Sequence, residues 1–402
     1  MSPGILYISY DGVLEPLGQS QVVAYLEKLA PGRRIHLISF EKARDWADKR
    51  HLDAVRKRIA DAGIRWHPLR YHKRPTVPAT AYDIAVGTAL GLALSVRHRL
   101  RIVHARSYVA GLMALGVKRA TGSRFIFDMR GLWADERVEG GLWPADGRLY
   151  RAAKRAERAL LLGADHVVTL THASEAQLRS FGYLLHNMPP ISVIPTCADL
   201  ERFRIQGPLQ TEPFVLGYIG SVGTWYLLDE MLRCFVMLRD LAPGARLLIA
   251  NRDEHELIRS RATAHGIEES ELELLAASHA EMPAFVARMS AGIMFIKPVH
   301  SKIASAPTKL AEYLGCGLPC LGNTGIGDVE LVLEGRHVGV AVRDFSDAQL
   351  AEGLERLLGL LRDRTVQQRC RATALELFSN EVGVTAYSQI YNRLTPTAAP
   401  CA

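Results

Sequence analysis

Ser305-Ala-Pro-Thr-Lys-Leu-Ala-Glu-Tyr-Leu-Gly-Cys-Gly-Leu-Pro319 is the stretch from which the fold and a binding site can be predicted together. Pro307 and Thr308 predict a helix start, because proline suits the first helical turn and threonine accepts from free backbone amides. Gly315 and Gly317 end that helix before an apolar run. The stretch therefore predicts a loop, a short helix and the entry to a buried strand.

The start of this helix predicts a diphosphate-binding site. Free backbone amides and the positive end of the helix dipole lie beside Lys309. Glu312 falls one turn later on the same side of the helix, within reach of a ribose. The candidate nucleotide-binding residues here are Thr308, Lys309, Leu310 and Glu312. An ordinary capped helix before a buried strand is the alternative that this stretch leaves open.

The 402-residue chain has the composition of a globular protein with more than one domain. Its hydrophobic fraction is 48% and its mean hydropathy is near zero, and its length allows two separate cores. The first residues lack the basic and apolar regions of a signal peptide, so we expect none. The longest apolar stretch, Ile84 to Val96, is shorter than a membrane span of about 18 residues and predicts a core helix.

The six cysteines predict no metal or redox site. They are scattered, and the closest pair, Cys316 and Cys320, is separated by glycine and proline, which break the helix that would align them. A reducing, cytoplasmic setting fits this usage best.

Charge is divided unevenly along the chain. Residues 1–195 carry 29 Lys and Arg against 17 Asp and Glu, whereas the remainder carries 20 against 25. Such a basic half suits an anionic membrane surface, a phosphorylated lipid carrier or nucleic acid; a solvated basic face is the plainer alternative. No zinc finger, RNA-binding aromatic strand or basic zipper region accompanies the charge, so we expect no nucleic-acid partner. The sequence leaves an anionic membrane surface as an open alternative for the partner of this basic half.

Short β-branched runs alternate with longer helical patterns along the whole chain. This alternation predicts parallel sheets with helices on both faces. Two such series are separated by a polar segment rich in proline. We therefore predict an N-terminal domain at 1–195, a hinge at 196–212 and a C-terminal domain at 213–380. A last helix, Glu381–Leu394, lies beyond the second series and could pack back on the first domain.

The predicted strands of the first series are Ile5–Ser9, Ile35–Phe40, Ile64–Pro68, Ile102–Ala105, Phe125–Asp128, His166–Thr169 and Ile191–Ile194. Those of the second series are Phe214–Ile219, Arg246–Ala250, Leu272–Leu275, Gly292–Ile296, Pro319–Gly322 and Gly339–Val342. The predicted helices of the first series include Ser20–Ala30, Asp45–Ala62, Ala81–Val96, Tyr108–Thr121, Asp146–Leu162 and Ser174–Phe181.

A glycine loop follows the first strand of each series. In open parallel sheets, ligands bind beyond the carboxyl ends of the strands. The first loop contains Gly18 and Gln19 and leads into a helix, and the second begins with Gly220 and Ser221. The first loop lacks Gly-x-Gly-x-x-Gly, which weakens a nicotinamide dinucleotide interpretation, and it lacks the P-loop pattern, which removes that class.

Charged residues also cluster after two strands of the first series. His104 and Arg106 stand at the end of the fourth predicted strand. Asp128 ends the fifth, and residues 128–137 are predicted as a loop that is dense in charge and aromatic character. Each cluster alone is a weak indication, but their common placement at strand ends is stronger.

These residues resemble the GT-B glycosyltransferases, specifically the large family-4 group of retaining enzymes. The resemblance covers nearly the whole chain, and its most specific parts are Leu17–Val22, Val193–Phe203 and Thr308–Pro319. It implies an α/β fold with two Rossmann-like, doubly wound parallel-sheet domains facing across a cleft. The N-terminal domain would bind the acceptor and the C-terminal domain the nucleotide-sugar donor.

The resemblance implies a hexosyltransferase-like glycosyltransferase of polysaccharide biosynthesis. It would move a sugar from a nucleotide-diphosphate sugar to a hydroxyl of a glycan, a lipid-linked saccharide or a small molecule. Retention of configuration is implied, with no metal and no cofactor besides the sugar nucleotide. Glu312 would hold the ribose hydroxyls, and Lys309 and the amides around Thr308 would hold the phosphates. Gly18, Gln19, Gly220 and Ser221 would also contact the nucleotide sugar, and a helix start after Gly18 would add amides for the diphosphate. The implied place is the cytoplasm, with association to the inner face of the membrane left open.

One position and one loop depart from the family pattern. Members commonly have a second glutamate eight residues before the ribose glutamate, and that residue is Ala304 here. Many also have arginine and lysine in the glycine loop of the second domain, and residues 220–226 contain neither. The departures indicate a divergent branch in which Lys309, with Lys297 or Lys302, supplies the positive charge. They put the donor sugar in doubt more than the reaction class.

The candidate catalytic residues are Asp128, Arg130, His104 and Lys309. Asp128 and Arg130 are expected near the reacting sugar or the acceptor hydroxyl, and a strand-end salt bridge is their structural alternative. His104 is a candidate for the same region, although a satisfied strand-end histidine would have the same position in the sequence.

Four further residues complete the set. Arg106, Asp135 and Glu136 are candidates for binding the acceptor, and the two carboxylates could instead cap the next helix. Asp328 follows a strand end of the second series and could face the donor sugar, or it could be a helix cap.

Two other functions fit the same architecture. A sugar-nucleotide 2-epimerase would need acidic and histidine groups clustered in the cleft, which the sequence does not show clearly. A sugar-nucleotide-binding or membrane-docking protein without activity is suggested by Ala304 and by the missing arginine and lysine of the glycine loop.

Overall fold

The computed structural model describes residues 4–276 and 281–395 and divides them into two compact units. Residues 4–194 together with 380–395 form the first unit, and residues 195–379 form the second. Both units are built from parallel strands connected by helices, as the alternating sequence pattern predicts.

The first unit contains a seven-stranded parallel sheet with the order β3-β2-β1-β4-β5-β6-β7. Its strands are β1 Gly4–Ser9, β2 Arg34–Glu41, β3 Arg65–Arg70, β4 Ile102–Arg106, β5 Arg124–Asp128, β6 His166–Thr169 and β7 Ile191–Val193. Its helices before residue 195 are α1 Pro16–Gly18, α2 Ala24–Leu29, α3 Ala43–Ala47, α4 Lys49–Asp61, α5 Thr76–His98, α6 Ser107–Thr121, α7 Trp133–Glu139, α8 Arg148–Gly163 and α9 His172–Arg179.

The second unit contains a six-stranded parallel sheet with the order β10-β9-β8-β11-β12-β13. Its strands are β8 Val215–Ile219, β9 Arg246–Ala250, β10 Leu272–Leu275, β11 Ala291–Met294, β12 Cys320–Asn323 and β13 Gly339–Val342. Its helices are α10 Leu228–Leu241, α11 His255–Ala264, α12 Met282–Val286, α13 Thr308–Gly315, α14 Val329–Gly335, α15 Asp347–Leu361 and α16 Val366–Phe378. Two apolar cores, one on each face of this sheet, follow from the alternation of side chains along its strands.

The last helix, α17 (Asn380–Leu394), belongs to the first unit and packs against α2. Tyr387 of α17 makes an edge-on ring contact with Tyr25 of α2, with 5.7 Å between ring centroids. Tyr391 is fully buried on the same helix. The carboxyl-terminal helix therefore completes the apolar surface of the first unit.

The segment predicted as a hinge, 196–212, packs with the second unit. Leu200 and Phe203 are buried in that unit's core. The Arg371 guanidinium of α16 donates to the carbonyls of Leu200, at 2.8 Å, and Phe203, at 2.7 Å. The same guanidinium donates to Gly315 at the end of α13, at 2.9 Å, and so ties the segment to that helix.

Every predicted strand is present, with ends within two residues of the prediction. The helices differ more. The helix predicted at 45–62 is interrupted at Asp48, whose side chain accepts from the His51 amide and caps α4. Residues 128–137 are not all loop, because α7 begins at Trp133. The core helix predicted around 84–96 is longer at both ends, and much of its surface is exposed.

Candidate functional site

The second sheet has its topological switch point between β8 and β11. The chain runs outward from β8 to β9 and β10, and then returns to β11 on the other side of β8. Ligands of open parallel sheets bind beyond the strand ends at such a point. Gly220 follows β8 directly, and α13 follows β11 after the 3₁₀ turn His300–Ala304. The topology therefore brings the glycine loop and the predicted diphosphate helix together.

Lys309 lies in a buried aromatic pocket at this switch point. Its side chain is 7% exposed, and its Nζ donates to the Tyr218 hydroxyl at 2.9 Å. The same nitrogen lies 3.5 Å from the ring centroid of Tyr226 and 4.3 Å from that of Tyr218. Burial lowers the pKa of Lys309 to about 7, although the Glu312 carboxylate opposes this shift.

Gly220 lets the lysine approach the backbone of the loop. Its φ of +106° is one that residues with a side chain rarely adopt. A Cβ at this position would stand 3.3 Å from Lys309 Nζ. The glycine is therefore needed both for the turn after β8 and for space beside the ammonium group.

Glu312 is the second buried ionisable group of α13. Burial raises its pKa to about 7, and the positive charges of Lys309 and Arg202 only partly offset that effect. Glu312 follows Lys309 by three residues and therefore lies on the same side of the helix. The two groups form a pair in which neither charge is fully compensated by the protein.

The start of α13 differs from the prediction in one detail. The N-cap residue is Pro307, and Thr308 is the first helical residue, so the threonine does not cap the helix. Pro307 has no side-chain acceptor with which to bond the first-turn amides. Leu310 is buried in the core, and its backbone amide already donates to the Pro307 carbonyl at 3.1 Å. The capping interaction expected from Thr308 is therefore wrong, and the N-cap residue makes no side-chain bond to the amides of this turn.

Two further lysines flank the glycine loop. The Lys302 ammonium lies 3.7 Å from the ring centroid of Trp225, and Lys302 is 5% exposed. Lys297 is exposed, and its backbone amide donates to the Trp225 carbonyl at 2.9 Å. Lys302 thus places positive charge against a loop that contains no basic residue of its own.

Asp328 and Ser221 lie at the ends of neighbouring loops. Asp328 occupies the N-cap position of α14, but its side chain does not accept from the amides of that helix. The loop before it turns through Gly325 and Gly327, both with positive φ, and the Gly327 amide donates to the Lys302 carbonyl at 2.9 Å. Ser221 is exposed in the glycine loop. Both residues keep the predicted position at strand ends.

Three polar side chains, two of them buried asparagines, support this site and could not be identified from the sequence. Asn251 donates to the Gly220 carbonyl at 2.9 Å, and Glu254 accepts from the Val222 amide at 2.9 Å. Asn323 at the end of β12 bonds both the amide and the carbonyl of Ile296, at 2.8 and 2.9 Å. The sequence offers a signal only for the two asparagines: Asn251 directly follows an apolar strand, and Asn323 ends one.

A second polar cluster lies at the strand ends of the first unit. His104 and Arg106 lie on one face of β4, and Arg106 is in register with Asp128 of β5. Asp128 is 1% exposed. Its Oδ2 lies 3.8 Å from His104 Nε2, and its Oδ1 lies 3.8 Å from Arg130 Nη1. Of the predicted catalytic residues, the structure therefore brings Asp128, Arg130 and His104 together.

Helix α17 covers this cluster with two tyrosines. The Tyr387 hydroxyl donates to Asp128 Oδ2 at 2.9 Å, and the Tyr391 hydroxyl bonds His104 Nδ1 at 2.7 Å. Burial alone would raise the pKa of Asp128, but Arg130, His104 and Arg106 outweigh it and lower that pKa. The carboxylate thus stays charged because its neighbours stabilise it.

Some hydrogen-bonding capacity of this cluster is unused by the described residues. Asp128 Oδ1 and His104 Nε2 are buried and have no hydrogen-bond partner there. Arg130 follows β5 with φ of +62°, a left-handed conformation that directs its side chain back to Asp128. Arg106 is 6% exposed, and its Nε lies 4.0 Å from Asp11 Oδ2.

The glycine loop after β1 is organised differently from the prediction. No helix starts after Gly18, because the chain is helical from Pro16 and continues through a π-helical turn at 19–23 into α2. Gly18 is required because a Cβ there would lie 2.0 Å from the Gly12 carbonyl oxygen. The Gln19 side chain accepts from Arg58 at 3.3 Å and contacts His51 at 3.2 Å.

Two amides of this loop already have a partner. The buried Glu41 carboxylate accepts from the amides of Val13, at 3.0 Å, and Leu14, at 3.1 Å. Burial raises the pKa of Glu41, and these amide bonds together with the Ser39 hydroxyl only partly offset it. The helix start expected after Gly18 to supply amides to a diphosphate is absent, because the helix already begins at Pro16.

Asp135 and Glu136 lie in the first turn of α7, beyond the cluster around Asp128. Asp135 accepts from the Tyr150 hydroxyl at 2.8 Å and from Lys154 at 3.0 Å. Both partners belong to α8, so Asp135 joins these two helices. Such a position allows binding of an acceptor but does not require it.

The first unit also matches a known family in sequence. Residues 21–196 match the model of the glycosyl transferase 4-like domain. This match covers most of the first unit but less than half of the chain. No curated protein sequence matches the chain with significance.

Solved structures resemble the whole chain. Sucrose-phosphate synthase from Thermosynechococcus elongatus superposes with a TM-score of 0.73 at 15% identity, covering 98% of this chain and 99% of that one. A glycosyltransferase from Rickettsia africae gives 0.70 at 12% identity, with coverages of 99% and 100%. Anabaena Alr3699/HepE, solved in complex with UDP and glucose, gives 0.65 at 13% identity, with coverages of 96% and 99%. The chain therefore has the GT-B fold of glycosyltransferases, as the sequence predicts.

Proposed function

We propose that this protein transfers a sugar from a nucleotide-diphosphate sugar to a hydroxyl group. The observation that carries the proposal is Lys309, a buried lysine with a pKa near 7 beside the start of α13 at the switch point of the second sheet. Such a group lacks the negative charge that would stabilise it, and a diphosphate supplies that charge. Glu312 on the same face of α13 is proposed to accept from the ribose hydroxyls. A solved neighbour, Anabaena HepE, binds UDP-glucose, which supports a ligand of this class.

Breaking the sugar–phosphate bond leaves negative charge on the nucleoside diphosphate. Backbone amides at the start of α13 and the Lys309 ammonium are positioned to meet that charge as it grows. Prearranged donors of this kind stabilise a transition state by about 3 kcal/mol each. We propose that Lys302 beside Trp225, together with Lys297, supplies the charge that the glycine loop itself lacks, and that Gly220, Ser221 and Asp328 line the donor.

In the first unit, we propose that Asp128, His104 and Arg130 lie near the reacting sugar or the acceptor hydroxyl. The unused Asp128 Oδ1 and His104 Nε2 support this, because a substrate hydroxyl could bond either atom. Tyr387 and Tyr391 would hold the carboxylate and the imidazole in place. Arg106, Asp135 and Glu136 are proposed to contact the acceptor.

We further propose a hexosyl transfer that proceeds with retention and needs no metal or other cofactor, carried out in the cytoplasm. The acceptor would be a glycan, a lipid-linked saccharide or a small molecule, as in polysaccharide biosynthesis. The excess of basic residues in 1–195 supports contact with an anionic membrane surface.

A thermal-shift screen with UDP-, GDP- and ADP-sugars tests the proposal. A ligand at 100 times its dissociation constant stabilises the folded protein by about 2.7 kcal/mol. We expect one nucleotide class to raise the melting temperature and Lys309→Ala to abolish that shift. Arg364→Ala, at an exposed position between α15 and α16, is the matched control and should keep it. The absence of a shift with every donor would contradict the proposal.

Product analysis of the stabilising donor separates the rival functions. Transfer or slow hydrolysis, detected as free nucleoside diphosphate, supports a transferase. Inversion at the second carbon of the sugar without release of diphosphate would indicate an epimerase instead. Binding without any turnover, even with candidate acceptors present, would indicate a sugar-nucleotide-binding protein.

A further inference from the structure

Helix α5 of the first unit has an unusual distribution of its side chains. It is long and apolar enough to cross a membrane, yet only 33% of its apolar window is buried. Small residues face inward: a Cβ on Gly87 would stand 2.5 Å from Met113, and one on Gly91 would stand 3.1 Å from Val117. These glycines let α5 approach the sheet and α6 closely. Alanine is the commonest residue of the exposed outer face, with a few larger apolar residues alongside it.

The outer face of α5 carries no charge over about 30 Å, at 1.5 Å per residue. The only charged residue between positions 76 and 96 is Asp83. It is 1% exposed, accepts from the Tyr10 hydroxyl at 2.9 Å and bonds His72 at 2.6 Å. The hydroxyls of Thr80 and Thr88 bond carbonyls of the helix itself. The exposed residues of this face are Val77, Pro78, Ala81, Tyr82, Ala85, Ala89, Ala93 and Val96.

Basic residues stand at both ends of the helix. Lys73 and Arg74 precede it, and Arg97, Arg99 and Arg101 end or follow it. All five are exposed. From residue 70 to residue 101 the sequence contains no acidic residue except the buried Asp83. An apolar stripe flanked by positive charge is complementary to the surface of an anionic bilayer, where acyl chains lie beneath phosphate headgroups.

We propose that the outer face of α5 is the surface through which the first unit lies on an anionic membrane. The helix would lie in the plane of the interface, with Tyr82, Ala89 and Val96 toward the acyl chains. The basic residues at its two ends would contact lipid phosphates. The helix does not cross the bilayer, because its inner face stays packed through Gly87 and Gly91 and through the bonds of Asp83. This inference deepens the proposed membrane contact but does not depend on sugar transfer.

Vesicle sedimentation of the full chain tests the inference, without nucleotide or acceptor. We expect binding to phosphatidylcholine vesicles that contain about 30% phosphatidylglycerol, much weaker binding to pure phosphatidylcholine, and weakening with salt. Ala89→Glu/Val96→Glu should lower the partition coefficient at least tenfold. Leu185→Glu/Leu331→Glu is the matched control, because these leucines are 66% and 63% exposed elsewhere, and it should bind as the wild type does.

A second variant keeps the test informative if the first one unfolds. Arg97→Gln/Arg101→Gln should lower the partition coefficient several-fold and reduce its dependence on salt, with an unchanged melting temperature. Equal binding to neutral vesicles, or unchanged binding of a folded α5 variant, would overturn the inference. A wild-type dimer that the α5 substitutions convert to a monomer would also overturn it, because a second copy would then cover this face. Failure here would leave the donor screen unaffected, so the two proposals fail separately.

Discussion

Each unit holds opposite charges beyond the carboxyl ends of its strands, but the two units stabilise those charges differently. Around Asp128, an arginine, a histidine and a tyrosine hydroxyl compensate the carboxylate, and its pKa is lowered. Around Lys309, burial dominates: the pKa of the lysine falls to about 7 and that of Glu312 rises to about 7. The first cluster is largely complete without a ligand, whereas the second lacks the charge that a diphosphate would bring.

Lys309→Met should break the second site without weakening the fold. We expect donor affinity and turnover to fall about 100-fold or more, because a main source of positive charge for the diphosphate is lost. The free energy of unfolding at pH 7 should change little, because removing a charge that burial disfavours offsets the loss of a partner for Glu312. Calorimetric titration and denaturant unfolding measure the two effects.

The pH dependence of stability provides a control for this substitution. Between pH 7 and 10 the unfolded chain keeps a proton on Lys309 that the folded chain has released, so wild-type stability should gain from rising pH. The methionine variant should lose that contribution. A methionine variant that unfolds readily and still binds donor would contradict the account, because Lys309 would then stabilise the fold and not bind the donor.

Tyr387→Phe should have the opposite pattern at the first cluster. Removing the hydroxyl takes a hydrogen bond from a buried carboxylate, which costs about 2 kcal/mol. Thermal unfolding should show this loss, and donor affinity should remain unchanged. Tyr82→Phe is the matched control, since Tyr82 is 58% exposed, and it should leave stability as it is. Equal stability of the two variants would mean that Asp128 does not depend on α17.

Glu312→Gln tests the nucleotide half of the second site with a smaller effect. We expect about a tenfold loss of affinity, corresponding to about 1.4 kcal/mol, for the donor that stabilises the protein most. The wild type should discriminate against the same nucleotide lacking a ribose hydroxyl, and the variant should discriminate little. If both proteins discriminate equally, another residue binds the ribose.

Gly220→Ala should have the smallest effect and shows how close the loop must come to Lys309. Its positive φ makes alanine unfavourable by about 1 kcal/mol. Gly266→Ala, also at positive φ but with open space around it, is a control for placing a side chain at such a position. Both variants should lose stability, and only Gly220→Ala should lose donor affinity, by several-fold. Equal affinities would show that the space beside Lys309 is not required.

Much of this fold could be predicted from local sequence. Strand positions were predictable because short β-branched runs bounded by turn residues are local signals, and the placement of Lys309 at a strand end followed from their order. Helix α7 was missed because Trp133–Glu139 is short and follows a turn through Arg130 and Gly131. Gly18 suggested a loop because glycine is common in turns. In the structure Gly18 is helical, and its missing side chain lets the helix pack against the Gly12 carbonyl.

The residues that surround each site could not be predicted from the sequence. Lys309 meets Tyr218 across 91 positions, and Asp128 meets Tyr387 across 259. No local pattern encodes such contacts. The exposure of α5 was hidden for a different reason: a helix that is apolar on all sides has no periodicity that marks its buried face.

The number of protons taken up when the donor binds tests the central claim most directly. If a diphosphate contacts Lys309, it raises the pKa of that lysine above its value of about 7, so binding near pH 8 must protonate it. Calorimetry in buffers of different ionisation enthalpy should show net proton uptake by the wild type at pH 8, and none for Lys309→Met. Wild-type binding without proton uptake would contradict the account.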